Sequence, residues 1–415
     1  MRALRWAPVL ALMLLGLTVV PASGAGDRGS QRSASAVAKV RVTAVASGLY
    51  HSLALGSTGA VFDWGWNIVG QLGNGSTNGS NVPVSVRLPR GTRVTGIAGG
   101  FAHSVAVTST GAVLAWGKNY DGDLGNGSTT DSALPVKAIL PAGMKATAVA
   151  AGGDHSLALT TTGAVLAWGY NGYGQLGNGG TGSSSVPVVV SLPTGTKVTA
   201  IAAGALDSLA LTTTGAVLAW GYNGDGDLGN GNKVSSDVPV TVKLPTGTKV
   251  TAIAAGGYFC LALTTTGAVL AWGYNADGEL GDGGTSSSDV PIKVRLPAGT
   301  KVTKIAAGGA LEGVGNATVG PGHGLALTST GAVLAWGYNA DGQLGDGNKA
   351  NSDVPTEVKS LRGAGRKVAA IAAGQLDSLA VTSTGAVLAW GGNNFGQLGD
   401  ASYAESGVPV QVIQP

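Results

Sequence analysis

The sequence predicts an all-β fold, a seven-bladed β-propeller built from seven tandem repeats of about 52 residues. Three observations lead there. Trp-Gly pairs begin at Trp64, Trp116, Trp168, Trp220, Trp272, Trp336 and Trp390; the first five stand 52 residues apart, and the last two steps are 64 and 54. Each period holds four short apolar pieces rich in Val, Ile and Leu, bounded by Gly, Thr-Gly, Asn-Gly or Pro-Thr-Gly. Those are strand and turn signals, and no piece is long enough for a helix.

The fourth repeat shows the order of elements. It runs Lys197 to Gly204, Asp207 to Leu211, Ala216 to Gly221, a Gly/Asn/Asp loop, then Val238 to Leu244. Four strands per unit make a propeller blade, and radial repetition leaves only short sheet edges open to aggregation. The last piece contains Pro83, Pro135, Pro187, Pro239, Pro291, Pro355 or Pro409. Proline donates no ladder bond, so this strand belongs at a blade edge or has its break there. The chain reaches the first Val-Thr-Ala strand at Val42 and finishes on a Val-Pro-Val strand near Val408. If those two pieces pair in one sheet, they latch the ring shut and close a very long loop. The seven Trp residues are expected as large apolar plates packed between blades.

Residues 1–25 read as a secretory signal: Arg2 and Arg5, an apolar core over residues 9–20, and small residues at Ser23-Gly24-Ala25. Residues 26–36 read as a flexible lead, and 37–415 as the propeller. A secreted or extracytoplasmic location follows, with no membrane span after signal removal. Removal of the signal takes two Arg and no acid, leaving 23 Lys+Arg against 22 Asp+Glu. Without a basic run to hold phosphates, no nucleic-acid partner is expected. Cys260 is the only cysteine, so no intramolecular disulfide can staple the fold.

The motifs Trp-Gly-x-Asn-x-x-Gly-Gln-Leu-Gly and Ala-Ala-Gly-x-x-His-Ser-Leu-Ala-Leu resemble the repeat of the regulator-of-chromosome-condensation family over residues 37–415. The resemblance implies the seven-bladed propeller. It also offers a function, since the family's best-known eukaryotic member is a guanine-nucleotide exchange factor that docks on nucleosomes. A similar architecture occurs in secreted propeller-type inhibitors of β-lactamase, which suggests inhibition of a secreted enzyme as another alternative.

No residue pattern points to catalysis, a cofactor or a metal. His51, His103, His155 and His323 share one repeat position, held elsewhere by Asp207, Phe259 and Asp377. Four copies on separate blades suit a structural hydrogen bond better than a general base or converging metal ligands. Loops such as Asn119-Tyr-Asp-Gly-Asp123 carry acids, but their spacing departs from a calcium loop and favours Asx turns.

Differences between repeats are more telling. The second residue after the Trp is Trp66, Lys118, Tyr170, Tyr222, Tyr274, Tyr338 or Gly392, and the same loops carry Tyr120, Tyr173 and Phe395. The sixth repeat holds a 12-residue insertion within residues 309–322, including Leu311, Glu312 and Asn316. Aromatic loop tips and an outsized loop are features of interfaces. The expected function is therefore an exported, monomeric, non-catalytic binding scaffold. Its partner would be a protein or a cell-envelope glycan.

Overall fold

In a computed structural model, residues 40–312, 318–361 and 367–414 are described, with the side chains of 310–321 set aside. The expected signal (1–25), the lead (26–36) and Asn316 lie outside them. The described residues form seven four-stranded antiparallel sheets, each a meander of consecutive strands. Blade 1 comprises Val42–Ser47, His51–Gly56, Val61–Gly65 and Ser80–Ser85, from the central channel outward. Blades 2 to 7 repeat this pattern over 94–137, 146–189, 198–241, 250–293, 302–357 and 368–411. The expected strands, their order and the prolines on the outer edge strand are all present.

The expected latch is not. The outer strand Ser406–Gln411 pairs with Val387–Gly391 of its own blade, and Val42–Ser47 pairs with His51–Gly56. Each Val-Pro-Val strand is satisfied by the third strand of its own repeat, so among the described residues no strand crosses between first and last blades. The ring closes instead through side chains. Val42, Ala54 and Trp64 pack with Leu379, Val387 and Val412 in one buried cluster.

The seams between blades share one plan. The Trp ends the third strand, is fully buried, and lies against the second and third strands of the preceding blade. In six seams its indole N–H donates to the backbone carbonyl of the preceding loop, as Trp220 does to Gln175 at 2.9 Å, Trp272 to Asp227 at 2.8 Å, and Trp64 to Gln397 at 2.7 Å across the closure; the Trp116 indole faces the Asp63 carboxyl instead. Burial of such a ring removes about 150–250 Å² from water. The Gly two residues after that carbonyl, for example Gly177 (φ 62°), sits under the indole, where both its backbone angle and the space exclude a side chain.

The histidines form the inner part of the seam, as the repeat position suggested. The Nε2 atoms of His51, His103, His155 and His323 lie 3.0, 3.0, 2.9 and 2.8 Å from the hydroxyls of Ser104, Ser156, Ser208 and Ser378, each on the next blade. Those hydroxyls also donate to preceding-loop carbonyls, as Ser208 does to Gln175 at 3.0 Å. In two of the three seams where the first residue changes, its partner changes with it. Asp207 faces Cys260 (3.4 Å), Phe259 has a glycine, Gly324, at the equivalent place and lies against Gly322, and Asp377 faces Ser52 (3.4 Å) and Ser47 (2.9 Å). The belt therefore runs across the closing seam as across the others.

Burial sets the charge of these groups. It lowers His51, His103 and His323 to about 3 and His155 to about 4. It raises Asp207 and Asp377 to about 7, Glu279 to about 8, and Asp63, Asp123 and Asp227 well above the carboxylate range. Asp63 is the outlier in sequence, since the other six blades place Ala there. The Trp116 indole and the Ser104 hydroxyl (3.4 Å) face its carboxyl and only partly offset its burial.

Two predictions follow from this belt. Ser208→Ala leaves the buried Nε2 of His155 without its partner and should cost about 1–3 kcal/mol in denaturant unfolding, whereas Ser208→Cys, the blade 5 solution, should cost less. The second concerns pH. The neutral histidines contribute stability that is full above 6.5, their unfolded value, and is lost as pH falls toward 3–4. The raised carboxyls contribute stability that is full below about 4 and is lost as pH rises through 7–8. Thermal midpoints measured across pH should peak on the acid side of neutrality. Asp63→Ala should raise stability by about 1–3 kcal/mol in mild alkali and by little near pH 4.

Candidate functional site

The meander brings two sets of loops to the same rim: those joining inner to second strands and those joining third to outer strands. A backbone bond ties the sets together in each blade, as from Trp66 N to Tyr50 O (2.8 Å) and Tyr274 N to Tyr258 O (2.8 Å). All the sequence-derived candidates among the described residues belong to these loops or to the blade 6 hairpin at their edge.

Each third-to-outer loop is held by one buried asparagine. Asn171 Oδ1 accepts from Leu176 N (2.8 Å), while its Nδ2 donates to the carbonyls of Gly180 (2.8 Å) and Gly182 (3.0 Å). Asn67, Asn119, Asn223, Asn275, Asn339 and Asn393 are equally buried, and each accepts from the leucine five residues on. The acids Asp123, Asp227 and Glu279 accept from backbone N–H groups two residues back, where other blades use Gln. The Asx reading of these loops holds, and their amide and acid side chains are committed to shaping the backbone.

On that frame the aromatic residues divide into two clusters. Tyr50, Trp66 and Phe395 meet at the seam of blades 7 and 1, with ring centres 4.7–6.0 Å apart. Tyr170, Tyr173, Tyr222 and Tyr258 form a chain of edge-to-face contacts over blades 3 to 5 at 6.4, 5.3 and 5.6 Å. Phe101 and Tyr274 pack against the same group with Ala205 and Leu206. Tyr170, Tyr222 and Tyr274 are half-buried, so they lean across their neighbours instead of standing free. Tyr120 is 77% exposed, and Tyr173 and Phe395 are also exposed. Burial raises the Tyr222 phenol to about 12. Tyr338 is half-buried at the matching place in blade 6 and Gly392 is buried in blade 7.

Polar groups border the rings. Lys118 reaches from blade 2 to Asp154 of blade 3 (2.6 Å) and to Asp121 (3.6 Å). Asp121, Asp225, Asp277 and Asp341 occupy one loop position in four blades, where Tyr173 and Phe395 stand in two others. Burial raises Asp121, Asp225 and Asp277 above the usual carboxylate range. The rim is thus aromatic with an acidic margin.

The blade 6 insertion belongs to this rim. Its inner and second strands lengthen to Val302–Glu312 and Thr318–Thr328, pairing Leu311 with Val319 and Glu312 with Thr318. The insertion is therefore a β-hairpin extension of the blade. Tyr50, Phe101 and Tyr258 were not anticipated. They stand just before the shared His position, or two residues before it for Phe101, and a comparison of that short Gly-x-x-His segment would have found them.

Comparison with known proteins agrees with this architecture. The RCC1-like domain model matches residues 180–415, and the regulator of chromosome condensation (RCC1) repeat matches 58–107 and 110–159. The chain is 32% identical over 338 residues to the ultraviolet-B receptor UVR8 of Arabidopsis thaliana, covering 81% of this chain and 74% of that protein. Human WBSCR16 is similar in structure, with TM-score 0.74, 26% identity and coverage of 86% and 94%. So is Prp20p of Saccharomyces cerevisiae, described with its binding to Gsp1p and histones, with TM-score 0.72, 24% identity and coverage of 90% and 88%. With its period and blade topology repeated seven times, and with the RCC1-like domain model matching more than half of its length, the chain belongs to the RCC1 repeat family.

Proposed function

We propose that the chain is an exported, non-catalytic binding scaffold whose aromatic rim and blade 6 hairpin engage a protein or a cell-envelope glycan. One observation carries the reading. The exposed aromatic side chains and the one enlarged inner-to-second connection lie on the same rim, although the sequence scatters them from Tyr120 to Phe395. Rigid aromatic rings contribute large contact areas at low entropic cost, and a hairpin beside them gives the rim a direction that a uniform ring lacks. The N-terminal residues 1–25 support export. That related propellers include a receptor and a protein described as binding Gsp1p and histones supports docking over catalysis.

The hairpin can be removed cleanly. Without residues 310–321, the connection becomes Gly308-Gly309-Gly322-His323, as long as Gly48-Leu49-Tyr50-His51 in blade 1. This deletion should leave the thermal midpoint within a few degrees, because no seam residue is lost. In affinity capture from culture medium and cell envelope, it should lose the partner that the parent chain retains. Tyr173→Ser and Tyr120→Ser should weaken the same capture. Capture that survives all three changes would move the site off this rim. Accelerated nucleotide release from a small GTPase would replace the scaffold reading with the exchange activity that the family resemblance implies.

A further inference from the structure

The opposite rim carries a charge pattern that no stretch of sequence reveals. The residue just before the inner strand is basic in all seven blades: Arg41, Arg93, Lys145, Lys197, Lys249, Lys301 and Lys367. The same backbone bond fixes each one, its carbonyl accepting from the residue that follows the second strand, as in Thr213 N to Lys197 O and Thr265 N to Lys249 O (3.0 Å each). All seven side chains are exposed. Arg87, Lys243, Arg295 and Lys359, also exposed, follow four outer strands, but their charged ends lie against Gly75, Gly231, Gly283 and Gly347 of the third-to-outer loops, outside this ring. No loop at this rim contains Asp or Glu; Glu357, closing the outer strand of blade 6, is the acid nearest in sequence.

Along the chain, these residues are isolated charges about 52 positions apart and form no basic run. Folding gathers them into one ring. Equivalent positions on equivalent blades present their charges at one level, so the ring suits a flat anionic surface better than a single linear polyanion. A second feature separates lipid from nucleic acid. In blade 2, Ile139 is 55% exposed and, with Leu140, Pro141 and Met144, lines a groove of about 450 Å³ between Lys137 and Lys145. Ile413, at the matching place in blade 7, is 47% exposed. Apolar side chains flanked by lysines fit the boundary between headgroups and acyl chains. A phosphodiester backbone offers them nothing.

We propose that this basic rim docks the propeller face-down on an anionic lipid bilayer, with the aromatic rim turned away. The proposal rests on the lysines and isoleucines alone, so it stands or falls separately from the partner of the aromatic rim.

The test is co-sedimentation of the full chain with vesicles of phosphatidylcholine alone or of equal parts phosphatidylcholine and phosphatidylglycerol. The anionic vesicles should bind far more protein, and added salt should release it. A variant with Lys145→Gln, Lys197→Gln, Lys249→Gln and Lys301→Gln should bind them about 600-fold more weakly, since each lysine near such a surface is worth about fivefold. Lys233→Gln, on the aromatic rim, should bind like the parent. Ile139→Ser should lower the fraction that resists salt. If the fourfold variant does not fold, Lys197→Gln and Lys249→Gln alone should each show about the fivefold loss. Equal binding to both vesicles, or no loss on lysine removal, overturns the proposal. Displacement from vesicles by duplex DNA at equal phosphate also overturns it and points to nucleic acid as the occupant.

Discussion

The architecture depends on how closely seven inner strands approach one another around the channel. At the end of each inner strand stands a glycine: Gly48, Gly100, Gly152, Gly204, Gly256, Gly308 and Gly374. A Cβ on any of them would come within 3.0 Å of the carbonyl oxygen of the next glycine around the ring. The radius of the propeller is set there, because no side chain can stand between neighbouring blades at that depth. Further out the gap widens, and progressively larger groups fill it: the His or Asp belt first, then leucines and valines, then the indole plates. Each group's size matches its distance from the channel, which is the taper that seven blades require.

That arrangement explains which parts of the fold were legible in sequence. The Trp period, the four strands and the edge prolines follow from rules of spacing and hydrogen bonding that act within one repeat. The structural role of the histidines was legible because Phe259 occupies the same position, which a ligand or base would not allow. The partner switch from Ser to Cys260 and Gly324 also lay in the sequence, but only as a relation between one repeat and the next. The latch failed for a physical reason. A Val-Pro-Val strand can pair as well with the strand before it in sequence as with one brought from the far end, and the local pairing closes a much shorter loop.

The functional rims were legible only in part. Tyr170, Tyr222 and Tyr274 were visible as a column of one repeat position, yet their packing against Phe101 and Tyr258 depends on a second loop that meets the first only in three dimensions. The basic rim escaped for the opposite reason. A charge run lies within one stretch of sequence, whereas a propeller collects charge by period. Both rims arise from one strand pattern, since the ends of antiparallel strands alternate between them. The protein can thus carry aromatic and acidic groups on one side and lysines on the other without any conflict in the blades between.

The absence of a shared strand has a consequence for synthesis. The indole of Trp64 finds its acceptor at Gln397, 333 residues later in the chain. Until blade 7 emerges, the flank of blade 1 formed by Val42, Ala54 and Trp64 has no neighbour, while each later blade can settle against the one before it. The nascent chain therefore grows as an open arc with one adhesive apolar edge at its oldest end. Such an edge can also accept the wrong blade, from another copy of the chain made nearby. A holdase that covers that first flank through the production of six further blades would protect the arc where it is weakest, and its work would end when the ring closes.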